Sequence, residues 1–234
     1  MRERSGGLGR SAFELKETLE SAPEVCAVCR FVAGALRRQI DMLFYENVND
    51  VQTRDRLRRA GGVCRYHAEL VAEQADALGT AIIMQDLLNN EWRALEAGTF
   101  DHPGGPTGRF GRLLDGGRQP ARRTPCPLCE AERELDQRTI DSLLEALDNA
   151  EFAAAFGGAE GLCVPHFHLA FERCKDETRW RVVLTRQREA LHHLAEELGE
   201  LARTYDYRSR VKPTAEEARA WRRGLSVSSG WLET

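Results

Sequence analysis

Four short pairs carry the residues most able to do chemistry: Cys26 with Cys29, Cys64 with His67, Cys126 with Cys129, and Cys163 with His166. The gap from Cys29 to Cys64 is 35 positions and that from Cys129 to Cys163 is 34; corresponding residues lie 100, 100, 99 and 99 positions apart. Taken in order along the chain, each half offers three thiols and one imidazole. That donor set suits a tetrahedral ion. The expectation is two zinc ions per chain, one held by Cys26, Cys29, Cys64 and His67, the other by Cys126, Cys129, Cys163 and His166. Four protein ligands leave no open position, so such sites are structural rather than hydrolytic. Binding at each would contribute about 10–16 kcal/mol, large beside the roughly 5–15 kcal/mol net stability of an ordinary domain. An iron–sulfur cluster is the alternative, since histidine can replace a cysteine there. Thiol–disulfide redox chemistry comes third, because its C-x-x-C prefers a βαβ setting that this sequence lacks.

The elements that position these pairs read as helices. Ser11 followed by Glu14 makes a capping box for a short first helix, which Pro23 ends. Phe31, Val32, Ala35, Leu36, Ile40, Leu43 and Phe44 recur at helical spacing after Cys29. A short helix over 51–59 follows, and Gly61-Gly62 turns the chain back into Cys64. A long helix is expected over 65–97, with Gly79 as its weak point. The second half repeats this plan: Ile140, Asp141 and Leu143 match Ile40, Asp41 and Leu43, and Gly161 precedes Cys163. Its long helix, 166–205, carries Leu184, Leu191, Leu194, Leu198 and Leu201. Residues 1–10 read as a disordered start and 98–125 as a linker dense in glycine, proline and arginine. The units are therefore 11–97 and 126–206, with 207–234 forming a short helix through Trp221 and a loose tail from Gly224.

Composition narrows the function classes. The 234 residues are 42% hydrophobic and 30% charged, enough for a packed core under a polar surface. No run approaches a membrane span, and the polar opening lacks the apolar stretch of a secretory signal. A cytoplasmic protein is expected, with reduced cysteines. The net charge of −4 disfavours nucleic acid, although Cys26–His67 holds eight arginines against four acids while Cys126–His166 holds two against nine. No catalytic triad, phosphate loop or dinucleotide fingerprint is present. The chain reads as a non-enzyme unless a zinc thiolate is reactive or an open site forms between the halves. Cys174 reads as a core thiol, and His192-His193 as a solvated pair beside Glu196 and Glu197.

The chain resembles a family of bacterial proteins of uncharacterised function that carry a C-P-x-C pair, a helical stretch and then G-x-C-x-x-H. The likeness rests on Gly62-Val63-Cys64-Arg65-Tyr66-His67, Leu78-Gly79-Thr80-Ala81-Ile82-Ile83, Cys126-Pro127-Leu128-Cys129 and Gly161-Leu162-Cys163-Val164-Pro165-His166. Asp206-Tyr207-Arg208 and Ala220-Trp221-Arg222-Arg223 extend it over most of the chain. Ala27 departs from it, standing where the first knuckle would have proline. The resemblance implies the architecture and no activity.

The fold expectation is all-α: two homologous zinc-stapled helical units packed as a bundle with pseudo-twofold symmetry. The function expectation is a zinc-binding scaffold or adaptor for protein–protein interaction, with another protein or a second copy as partner. A metal-dependent redox or thiolate enzyme is the alternative, and RNA binding through the basic half a weaker one. The halves are expected to dock through Trp92, Leu95, Leu191, Leu194 and Leu198.

Overall fold

The structure, a computed structural model, describes residues 8–74, 76–97, 123–205, 212–214 and 217–230. All regular elements among them are helical. They are α1 (Arg10–Ser21), α2 (Ala27–Asp41) continued by a π-turn (Met42–Glu46), α3 (Val51–Ala60), α4 (Arg65–Gln74), α5 (Ala77–Glu96), α6 (Pro127–Ala146), α7 (Ala150–Gly158), α8 (Val164–Arg173), α9 (Glu177–Thr204) and α10 (Ala220–Ser229), the last preceded by a 3-10 turn at Glu217–Arg219.

Two compact units divide these elements, and they are not the two sequence repeats. One contains residues 1–35 and 133–234, the other 36–132. The chain passes between them inside α2 and inside α6. Each unit has its own core. In the first, Leu15 and Leu19 of α1 and Val28 and Val32 from the start of α2 meet Ile140, Leu143 and Leu144 from the end of α6, with Phe152 and Phe156 of α7. In the second, Leu36 and Ile40 from the end of α2 meet Leu128 from the start of α6, with Leu57, Val71 and Ile83. α2 and α6 thus each spend their two halves in different cores.

The long helices are interrupted where periodicity alone ran straight through. α4 stops at Gln74, and Asp76 begins α5 by accepting the Gly79 amide at 2.5 Å. A hundred positions on, α8 stops at Arg173 and Asp176 begins α9 by accepting the Arg179 amide at 2.9 Å. A capping carboxylate satisfies one orphan N–H of a new helix, so a fresh start at this point costs little. Gly79 is not the weak point. Its missing Cβ lets α5 approach the Phe44 carbonyl of the π-turn, which any side chain at that position would strike.

Residues 224–229, expected to be loose, continue a helix instead. α10 runs eight residues past Trp221 to Ser229 and closes on Gly230 at φ 75°, a left-handed cap. It covers α9: Gly224 lies over Leu198, and Leu194 and Leu201 are buried. Two of the five residues expected to join the halves are therefore used elsewhere, while Trp92 and Leu95 stay exposed. The expected linker lies almost wholly outside the described residues.

Candidate metal centres

All eight donors begin helices. Cys26 and Cys126 immediately precede α2 and α6, and Cys29 and Cys129 sit in their first turns. Cys64 precedes α4 and Cys163 caps α8, with His67 and His166 one turn inside. Each cysteine carbonyl then accepts an amide four residues on, as in Phe167 to Cys163 and Ala68 to Cys64, both at 2.8 Å. The helix starts hold the backbone rigid under the side chains. Their partial positive ends also face the sulfurs, which favours thiolate.

The donors gather in two groups, each able to hold a metal ion: Cys26, Cys29, Cys163 and His166, and Cys64, His67, Cys126 and Cys129. Pairing along the repeats is thereby corrected. The pairs nest: the outermost two join, and so do the inner two. The cause is which core each part of a helix joins. Leu57 and Val71, on either side of Cys64, bury with Leu36 and Ile40 from the end of α2 and Leu128 from the start of α6. Val28 and Val32 from the start of α2 bury instead with Ile140 and Leu143 from the end of α6.

In the outer centre the His166 Nδ1 lies 3.6 Å from Cys26 Sγ, 3.2 Å from Cys29 Sγ and 3.1 Å from Cys163 Sγ, and the Cys29 and Cys163 sulfurs are 3.5 Å apart. In the inner centre the His67 Nδ1 lies 3.2, 3.7 and 3.4 Å from the sulfurs of Cys64, Cys126 and Cys129, and the Cys64 and Cys129 sulfurs are 3.7 Å apart. Zinc bond lengths on a tetrahedron put neighbouring sulfurs about 3.8 Å apart and sulfur and nitrogen about 3.5 Å apart. The donors stand at that spacing, and the cysteines form no disulfide.

Each imidazole turns its other nitrogen to a carboxylate of α6. His166 Nε2 lies 3.0 Å from Asp136 Oδ1, and His67 Nε2 lies 3.5 Å from Glu132 Oε2. At His166 this hydrogen bond fixes the tautomer that presents Nδ1 to a metal, whereas the buried His67 Nε2 makes no hydrogen bond among the described residues.

Over residues 11–234 the chain matches DUF6062, a family of unknown function. The chain belongs to that family. It is also 27% identical over 207 residues to an uncharacterized 23.9 kDa protein in the xynA 3′ region of Caldicellulosiruptor sp. (strain Rt8B.4), a stretch covering 88% of this chain and 95% of that protein. No solved structure matches it.

The two centres of this DUF6062 chain differ in enclosure. All four outer donors are buried, whereas only His67 is buried in the inner set. Gly230 explains part of this, since a Cβ there would lie 3.5 Å from both Cys29 and Cys163 sulfurs. The end of α10 therefore closes the outer centre with bare backbone. Gln187 adds support: buried on α9, it accepts the Leu162 amide at 2.9 Å and donates to the Leu162 carbonyl at 2.8 Å, fixing the residue before Cys163. At the corresponding place in the first repeat stands Leu87, against Gly62, with no such bonds to give.

Electrostatics within each set point the same way. Burial lowers the His166 imidazole, but Asp136, Cys163 and Cys26 outweigh it and push it up to about 12. Burial raises the Cys26 thiol, yet contacts with Cys163, Cys29 and His166 hold it well below the usual thiol range. Cys29 is driven upward, chiefly by Cys163. In the inner set, burial works against His67 and Cys64 alike. Glu132 and Cys64 still carry His67 up to about 9, and His67 with Cys129 brings Cys64 down to about 7. Burial and Cys64 send Cys129 up to about 12. One thiolate beside an imidazolium thus keeps its neighbours protonated, and a divalent ion would release those protons on binding.

The remaining candidates stay apart from these centres. Cys174 is half-buried at the end of α8, with its thiol 3.3 Å from the Asp176 carbonyl. His192 and His193 each pair with a glutamate one turn on, at 3.4 Å, on an exposed face of α9. Asp136, Glu132, Gln187 and Gly230 were absent from the sequence reading. For the two acids a signal existed: they are four apart on α6, hence on one helix face.

Proposed function

We infer that this chain is a zinc-stapled helical adaptor whose two structural ions clamp helix starts together so that its surfaces can engage another protein. The observation that carries this is the convergence of four protein donors on one point in each unit, all within 4.8 Å of one another. Donors that share one ion stand this close. Those of a multi-iron cluster bind separate irons and need wider spacing. Protein ligands fill a tetrahedral shell, leaving no position for substrate. Reduced cysteines suit a cytosolic setting. RNA binding draws little support, because the four arginines of α3 have partners within the chain: Arg54 donates to the Val48 carbonyl at 2.7 Å, and Arg58 pairs with Asp86 at 2.7 Å, Arg59 with Asp55 at 2.9 Å and Arg56 with Glu130 at 3.8 Å.

Elemental analysis of anaerobically purified protein tests the reading, with cobalt(II) substitution to report geometry by its visible bands. Two zinc per chain and tetrahedral thiolate bands are the expected result. A brown protein with iron and sulfide overturns it in favour of the redox alternative.

A further inference from the structure

α5 carries a stripe with no visible use. Leu78, Ala81, Gln85, Leu88, Trp92 and Leu95 are all exposed on one side of it. Leu78 is 70% exposed, Leu88 69%, Trp92 60% and Leu95 54%. The buried side of the same helix is a different one, centred on Gly79 and Ile83. The steps between the exposed residues are 3, 4, 3, 4 and 3, the spacing of a coiled-coil seam. Large apolar residues left in water in a continuous line mark an interaction surface rather than chance exposure.

The order of side chains within the stripe indicates its occupant. Laid against a second copy running the opposite way, Leu78 meets Leu95, Ala81 meets Trp92, and Gln85 meets Leu88. The smallest residue of the seam, Ala81, falls opposite the largest, Trp92. Each layer occurs twice, as an isologous twofold contact requires. Of the two acids that flank the seam, Glu91 already holds Arg123 at 2.9 Å, while Glu96 is exposed in the last turn of the helix. Gln85 is the one polar residue of the seam, the kind of residue that costs stability but fixes register.

We propose that α5 is a homodimerisation helix, pairing antiparallel with α5 of a second copy about a twofold axis between Gln85 and Leu88. It rests on and deepens the adaptor reading by naming one partner, and the seam contains no metal donor. From Leu78 to Leu95 the seam is about 26 Å long. A two-helix contact of that length falls below about 1,200 Å² of buried surface, the class that associates weakly and reversibly.

The test is sedimentation of full-length, metal-loaded protein across the micromolar range. A concentration-dependent dimer is expected. Leu88→Arg should leave a monomer of unchanged helicity and metal content, and Trp92→Gln should do the same should the arginine disturb folding. Ala81→Trp should weaken association by about tenfold through overpacking against Trp92, and Ala81→Trp combined with Trp92→Ala should restore it. A monomer at all concentrations overturns the proposal, including one whose Trp92 emission shows it shielded by the chain's own residues 98–122. So does a dimer indifferent to Leu88→Arg and Trp92→Gln. Metal counts on the same samples keep a failure of the zinc reading separate from a failure of the seam.

Discussion

Cys29 and Cys163 are separated by 134 positions in the chain and by 3.5 Å between sulfurs. This one contact decides between two ways of pairing the same donors, and paired substitutions make the decision measurable. Cys26→Ser with Cys163→Ser should lose one zinc of two, because both ligands serve the outer centre. Cys26→Ser with Cys64→Ser should lose both. Pairing along the repeats would give the reverse for these two variants, by elemental analysis.

Enclosure sets the order of metal loss. The outer donors are buried behind Gly230, while three of the inner four are partly open. A chromogenic chelator should therefore take zinc in two phases, the inner centre first. Cys64→Ser should abolish the fast phase alone. Complete removal should cost most of the helical signal, since each ion is worth about as much as the whole net stability of a domain.

The carboxylates behind the histidines should tune affinity without changing stoichiometry. Asp136→Asn should weaken the outer site by about 10–100-fold in competition titrations. Glu132→Gln should do less at the inner site, because Glu132 stands 3.5 Å from its imidazole against 3.0 Å for Asp136. Equal effects would mean that the closer contact does not orient His166.

Gln187→Leu copies into the second repeat what Leu87 is in the first. It strands the buried Leu162 amide and carbonyl, at about 1–3 kcal/mol for each group left unpaired. Denaturant unfolding should show a loss of about 2–6 kcal/mol with both zincs still bound. Loss of the outer zinc instead would show that Gln187 holds the ligand loop itself.

The donors were legible because thiols and imidazoles at C-x-x-C and C-x-x-H have few other uses together. Their partners were not, because pairing is settled by which apolar faces share a core. Val28 with Leu143, and Leu128 with Ile40, are ordinary core choices that no motif advertises. The helix breaks were written in the chain as Asp76 and Asp176. The apolar pattern continues across them, so period alone conceals the restart. The all-helical class was plain from the absence of alternation. The closure of α10 over α9 was hidden behind glycine and serine, which read as a loose tail.

Nesting also has a consequence in time. A chain emerges from the ribosome N-terminus first. The first four donors to appear are Cys26, Cys29, Cys64 and His67, a full Cys₃His set that the finished protein does not use. The nascent protein therefore carries a decoy chelate. An ion that lands there early must be surrendered: Cys64 and His67 to partners that arrive with Cys129, and Cys26 and Cys29 to partners that arrive only with His166. A metal ion bound too soon would have to be given up before the chain could close, and one bound late would meet donors already in place.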